Sequence, residues 1–369
     1  MELNDGNIKV IAYYLPQYHP FKENDEWWGP GFTEWTNVGK AKPLFKGHYQ
    51  PKVPADLGYY DLRIADVAIK QAELAAEAGV TGFCYWHYWF GNGRMLLETP
   101  AERMLKSGAP NFPFCFSWAN HGWWRKSWSS TGNSELLMEQ TYPGIKDIDN
   151  HFYYCLPFFK DERYMRYKGR PLFFIYKHLD YKDISQFIDR WNYLAKKEGL
   201  SDGFMFMTGL ISFDTLSDAK QKGLTGGILD VNARENLIPS FWHRALNFAF
   251  RKTGISSRGP QKTDYFKLIE KAWSNELLNQ NDVVPLIMPN WDHTPRSGRN
   301  GNVYVNTSPE AFEKMLDKVL PLVKRKSNKL VILKSWNEWG EGNYMEPDLK
   351  YGHGFINALA NSLKKNSSN

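Results

Sequence analysis

Two glutamates three residues apart, Glu338 and Glu341, stand in the most distinctive stretch of the chain, Lys334-Ser-Trp-Asn-Glu-Trp-Gly-Glu-Gly-Asn-Tyr-Met-Glu-Pro347. Glycoside cleavage commonly needs two carboxyl groups flanking one bond, one of them held protonated near neutral pH. Close carboxyls among apolar rings have their ionisations pushed apart, because each disfavours charge on the other and burial disfavours charge on both. One can then act as acid and the other as base. Trp336, Asn337 and Trp339 frame the pair and are expected to bind sugar beside it, and the neighbouring glycines let the backbone bend tightly. An E-x-x-E spacing alone is common, and either glutamate could instead cap a helix or pair with Lys334. The aromatic and glycine frame favours the catalytic reading. Glu34, in Gly31-Phe-Thr-Glu-Trp-Thr-Asn37, is a further carboxylate that either binds sugar hydroxyls or orders its loop, and Trp35 beside it is expected to contact sugar. Glu346 is expected to fix the last loop.

The ends of several apolar runs share a theme: Tyr14 with Gln17, Tyr18 and His19; Tyr85, Trp86 and His87; Trp118, Asn120 and His121; Tyr176 and His178; Trp291, Asp292 and His293. Sugars present apolar C–H faces and rims of hydroxyls, which a ring beside Asn, Gln, His or Asp matches on both counts. Taken singly, a residue such as His178 reads as a hydrogen-bonded histidine under a loop. Together the clusters point to a carbohydrate cleft, with Trp118 and Trp124 as rings expected to stack on sugar. Composition agrees, since 15 Trp, 20 Tyr and 23 Phe make 16% of the chain, and Trp and Tyr carry polar tips that favour a wet boundary.

Short apolar runs alternating with amphipathic helices must position these groups. Eight strands are predicted: Ile8–Tyr14, Val80–Tyr88, Phe112–Trp118, Pro171–Tyr176, Gly203–Thr208, the Gly-rich Gly226–Val231, Val283–Met288 and Leu330–Lys334. Helical spacing predicts Asp61–Ala78, ended by Gly79, together with Ile184–Glu198 and Pro309–Val323. Repeated strand–helix units with right-handed crossovers give a parallel sheet, and eight close a barrel. The fold class is therefore α/β, a single (β/α)₈ TIM barrel with long βα loops over residues 1–363, followed by a polar tail, 364–369. The loop 16–60 exceeds the ~12–15 residues beyond which connections are usually functional or disordered. Its Trp27, Trp28, Phe32 and Trp35 argue against disorder.

Net charge is +6, but Lys and Arg are scattered rather than clustered, which argues against a nucleic-acid groove. The run Lys324-Arg325-Lys326 ends a helical pattern, where cations complement the helix dipole. Cys84, Cys115 and Cys155 are far apart and read as reduced core residues. No H-x-H or H-E-x-x-H pair points to a metal, and no cofactor is implied. No transmembrane segment and no leader are evident, so the expectation is a cytoplasmic protein, or a periplasmic or secreted one had a leader been removed. The expected partner is an oligosaccharide or polysaccharide, bound by a monomer.

Five stretches in order, Tyr13-Tyr-Leu-Pro-Gln-Tyr-His19, Gly31-Phe-Thr-Glu-Trp-Thr-Asn-Val38, Gly82-Phe-Cys-Tyr-Trp-His-Tyr-Trp89, Phe116-Ser-Trp-Ala-Asn120 and Trp336-Asn-Glu-Trp-Gly-Glu-Gly342, resemble the WbsX family. That family is described as glycosyltransferases of bacterial lipopolysaccharide and capsule gene clusters, and as a glycoside hydrolase family 99-like domain. More distantly, the chain is similar to the endo-α-mannosidases of family 99, retaining (β/α)₈ enzymes that work through a 1,2-anhydro sugar. That resemblance implies Glu338 as the base on the sugar 2-hydroxyl and Glu341 as the acid/base at the leaving oxygen. The chain departs from those enzymes at Gly340, where they carry histidine. A hydrolase or transglycosylase is the first expectation, because no convincing Asp-x-Asp and no glycine-rich phosphate loop speak for a nucleotide-sugar transferase. A non-catalytic carbohydrate-binding barrel is a further alternative, disfavoured because binding alone does not call for two adjacent like charges.

Overall fold

The computed structural model describes residues 1–125, 134–210, 212–229, 259–272 and 276–367. Its frame is eight parallel strands: β1 (Lys9–Tyr14), β2 (Gly82–Trp89), β3 (Phe114–Trp118), β4 (Arg170–Ile175), β5 (Met205–Leu210), β6 (Gly226–Leu229), β7 (Val283–Ile287) and β8 (Leu330–Leu333). Each pairs with the next in the chain, and β8 returns to β1 with Lys9 opposite Leu330, which closes the barrel. All eight predicted strands coincide with these. The last two residues predicted for the sixth, Asp230 and Val231, lie outside the described residues.

Helices follow the strands and pack on the outside. Helix Ala65–Glu77 buries Gln71, Ala72 and Ala75 and ends before Gly79, whose φ of +81° suits glycine. It begins four residues later than predicted, because Asp61 accepts from the Arg63 backbone and side chain in a separate turn. Ile184–Lys197 and Pro309–Lys324 match the other two predicted helices, and Ser308 caps the latter by accepting from Ala311 N. A last helix, Gly354–Ser367, carries four of the six residues assigned to a polar tail. Ser368 and Asn369 lie outside the described residues.

Side chains alternate along a strand, so each barrel strand sends one set inward and the other toward the helices. The outward set builds an aromatic layer. Fully buried Trp191 packs against Phe152, Phe159, Phe173, Phe187, Phe204 and Phe206. Much of the aromatic surplus is therefore structural. Cys84, Cys115 and Cys155 are buried and unpaired. Of the basic run, Lys326 turns inward and donates to the carbonyls of Leu278, Gln280 and Val283, where burial lowers its ammonium to about 8.

Candidate active site

The stretch after β8 folds back on itself. Asn337–Glu338 pairs antiparallel with Asn343–Tyr344, and Trp339–Glu341 forms one 3₁₀ turn between them. Gly342 closes this turn at φ +54°. Its bulky residues point away from the mouth and anchor it. Asn337 clamps the end of β1, accepting from Leu15 N at 2.7 Å and donating to Leu15 O at 3.0 Å. Tyr18 donates to the Asn337 carbonyl and accepts from Trp339 N. Trp339 Nε1 donates to Glu346 at 2.6 Å, and Trp336 is fully buried. The expected role of Glu346 in fixing this loop agrees with its further donors, Gln71 and Tyr60.

Glu338 and Glu341 face the other way and meet on one cation. Arg296, on the short helix Thr294–Ser297 after β7, donates from Nη1 to Glu341 at 2.5 Å and to Glu338 at 3.3 Å, and from Nε to Glu34 at 3.0 Å. Ser335 donates to the other oxygen of Glu338 at 3.2 Å, and His293 Nε2 lies 3.5 Å from Glu341. The two glutamate side chains keep 11% and 14% exposure, so both can be reached from the mouth. Burial, together with the charge of Glu341, pushes Glu338 up to about 7 against the pull of Arg296 and Lys334. Burial acts on Glu341 too, but Arg296, His293 and Lys334 outweigh it and hold that carboxyl below its usual value. Burial and the surrounding charges thus act on the two carboxyls in opposite directions. In the ligand-free protein the proton favours Glu338, whereas the resemblance implies Glu341 as the proton donor.

The inward residues of neighbouring strands continue the lining. Tyr13 stacks on Trp86 at 4.6 Å, Trp86 meets Tyr176 edge to face at 5.4 Å, and Tyr176 meets His121 at 5.5 Å. Lys334 Nζ lies 4.7 Å from the ring of Trp291. Tyr176 is 40% exposed and Trp124 52% exposed, the latter on the ribbon Trp123–Arg125/Glu135–Met138.

Other residues expected to touch sugar serve the scaffold instead. Tyr14, Tyr85, His87 and Trp118 share the outward parity of their strands. Tyr14 donates to Gln71, Tyr85 packs on Tyr14, and Trp118 packs on Phe187 and donates to Trp89 O. His87 Nε2 meets His151 Nε2 at 2.8 Å and Cys155 Sγ at 3.9 Å, and burial pushes the His87 imidazole down to about 3. These three bring ligand-type atoms within 4.8 Å of one another, a grouping that sequence spacing does not reveal. Asn120 joins the Lys177 backbone and Tyr142, and His178 bridges Thr208 and Asp218 beneath a loop. Tyr18 lies under Trp35, whose indole donates to Tyr60 O. Asp292 accepts from His48, Gln50 and Thr294 and so holds the long first loop. His19 is buried against Pro20, and Gln17 is half-buried, its carbonyl accepting from Glu34 N. Glu34 itself belongs to the site through Arg296.

Arg296, Lys334 and Tyr88 also stand near the pair beside Trp86 and His293, and for Arg296 no local feature of the sequence marks this. Strand parity is the signal that finds Tyr88, since Trp86 and Tyr88 alternate with Tyr85 and His87. For Arg296 the signal is the need of two buried carboxyls for a counter-charge.

The family description Glycosyltransferase WbsX matches residues 10–359. Two proteins named uncharacterized protein WxcX, from two strains of Xanthomonas campestris pv. campestris, are 31% and 32% identical over 96% of this chain. The chain spans about half the length of these curated relatives, 50% of each. Among solved structures, a glycoside hydrolase-like protein overlays with a TM-score of 0.60 at 14% identity, covering 98% of this chain and 95% of that one. The GH99 endo-α-mannosidase from Bacteroides thetaiotaomicron, in complex with bis-tris propane, overlays with a TM-score of 0.56 at 14% identity, covering 97% of each chain. These overlays show the (β/α)₈ barrel, and the family match over nearly the whole sequence shows that the chain belongs to the WbsX family.

Proposed function

We propose that this barrel is a carbohydrate-active enzyme that cleaves glycosidic bonds of an oligosaccharide or polysaccharide, in the manner of a retaining, endo-α-mannosidase-like glycoside hydrolase, with Glu338 and Glu341 as the reacting pair. The observation that carries this reading is the geometry of two partly exposed carboxyls, Glu338 and Glu341, held by one arginine beyond the end of the last barrel strand. One proton shared by such a pair supplies the acid and the base that the chemistry needs. The aromatic surfaces of Trp86, Tyr176 and Trp291 offer stacking for sugar faces.

Two assignments of the proton fit the pair. The resemblance favours Glu341 as acid and Glu338 as base. The grip of Arg296 on Glu341 favours the reverse in the resting enzyme, and the resemblance-based assignment then requires substrate to loosen that grip. Leaving-group dependence separates them, because an activated aryl glycoside needs little proton donation. The glutamine variant of the acid regains turnover on the aryl substrate, and that of the base does not.

Transfer from a nucleotide sugar is the competing reading, favoured by the name of the family. The string Asp147-Ile-Asp149 offers it little, since Asp147 accepts from Trp89 and Asp149 pairs with Arg190 on an outer helix. Incubation with bacterial surface oligosaccharides alone, against incubation with nucleotide sugars and an acceptor, tests the choice. New reducing ends from oligosaccharides alone support cleavage. Product formed only when a nucleotide sugar is present overturns it.

A further inference from the structure

Gly340 lies between the two carboxyl-bearing residues, and other side chains fill the space where its own would be. A Cβ built on Gly340 would sit 1.9 Å from Glu34 Oε2 and 3.1 Å from Arg296 Nε. Gly340 is not among the glycines with positive φ, unlike Gly342. The glycine is therefore required by space and not by backbone conformation.

The space is used by a chain of charge. Glu34 opens the helix Glu34–Lys40, whose N-cap Thr33 accepts from Trp35 N, and its side chain is only 6% exposed. Its Oε2 holds Arg296 Nε, and a planar guanidinium fixed at one edge has its other donors fixed in direction. One of them, Nη1, reaches both Glu338 and Glu341.

We infer that Gly340 is the opening through which Glu34 orients Arg296, and that Arg296 is the positioning residue that sets the arrangement of Glu338 and Glu341. This inference deepens the cleavage proposed above and rests on it for its catalytic meaning. Arg296 makes its shorter contact with Glu341, so it stabilises charge there more than on Glu338. The other groups around the pair are His293 beside Glu341, Lys334 from the end of β8, Tyr88 from β2, and Glu34 itself. Arg296 Nη1 lies within hydrogen-bond reach of both carboxyls, and Lys334 also acts on the charge of both. A side chain at 340 would displace the Glu34 carboxylate and release the guanidinium from its orienting partner.

The test uses the full chain without substrate. The glutamate carboxyl carbons, ¹³C-labelled, are titrated by NMR, with Glu338→Gln and Glu341→Gln supplying the assignments and thermal unfolding confirming that each variant is folded. In Arg296→Gln the Glu341 midpoint is expected to rise by roughly one to three pH units. Gly340→Ala is expected to move it in the same direction, and Arg296→Lys by a smaller amount. Gly340→Ala is also expected to lower Tm in the wild-type background and to lower it little further once Glu34→Ala has emptied the space. An unmoved Glu341 midpoint in folded Arg296→Gln or Gly340→Ala overturns the inference, as does a fully additive loss of Tm in the double variant. Because no substrate is involved, that failure would leave the cleavage reading standing. An intact titration shift without any glycan cleavage would do the reverse.

Discussion

Two glutamates of one loop, Glu338 and Glu346, both have carboxyls pushed up to about 7, yet their surroundings are opposite. Burial raises each. Around Glu346, 2% exposed, the neighbours are neutral donors, Trp339 at 2.6 Å, Gln71 at 2.7 Å and Tyr60 at 3.0 Å, and they tie the loop to the first loop and the adjoining helix. Around Glu338 the neighbours are charged: Glu341, Arg296 and Lys334. A raised carboxyl by itself marks burial. What separates a reacting group from a structural one is a partner whose charge can exchange with it, together with a path to solvent.

Turnover separates the two glutamates by the largest margin. Glu341→Gln or Glu338→Gln is expected to lower turnover of a cleavable glycan by about 10²–10⁴-fold, the usual contribution of general acid–base catalysis, while equilibrium binding stays measurable. Steady-state rates and titration calorimetry on the same glycan check both halves. Stability should respond in the opposite order. Glu346→Ala leaves three buried donors without an acceptor and is expected to cost roughly 3–5 kcal/mol in urea unfolding. Glu338→Gln relieves repulsion from Glu341 and is expected to leave the unfolding midpoint unchanged or raised at pH 8.

Both raised carboxyls also imprint pH dependence. Between the ordinary glutamate value of 4.5 and about 7, the unfolded chain gives up protons that the folded protein keeps at Glu338 and Glu346. Their contribution to stability is therefore complete below that window and is lost as pH rises through it, by roughly 3 kcal/mol at Glu346. Unfolding free energies measured across the window should show this fall, and Glu346→Ala should flatten it. The smallest contrast concerns strand parity. Trp118→Phe, on the outward side, gives up the bond to the Trp89 carbonyl and is expected to cost about 1 kcal/mol of stability with glycan affinity intact. Trp86→Phe, on the inward side, is expected to weaken glycan binding by about the same amount with little change in stability.

The eight strands and the glutamate pair were legible because both are local signals. Apolar runs bounded by helices mark strands, and the stretch from Trp336 to Gly342 concentrates acid, aromatic and glycine in seven positions. The facing of Tyr85 and His87 was legible in principle through the alternation with Trp86 and Tyr88, but a cluster read as a unit hides its parity. Trp336, Asn337 and Trp339 are expected at the sugar for the same reason, whereas the turn that presents the glutamates directs these three away from the mouth as anchors. Arg296 and Glu34 carry no local mark of their partnership. They reach the pair from the loops after β7 and β1, and only closure of the barrel brings the three segments together. The His87–His151–Cys155 grouping is hidden in the same way, since it joins a strand to a helix more than 60 residues on.

Whether Glu338 and Glu341 meet the scissile bond is read most directly from a crystal structure of Glu341→Gln with a bound oligosaccharide. A glycosidic oxygen is expected within hydrogen-bond reach of residue 338 or 341, with a sugar ring against Trp86, Tyr176 or Trp291. An oligosaccharide seated only on the rim at Trp124, with both positions still engaged by Arg296 and out of its reach, would contradict this expectation.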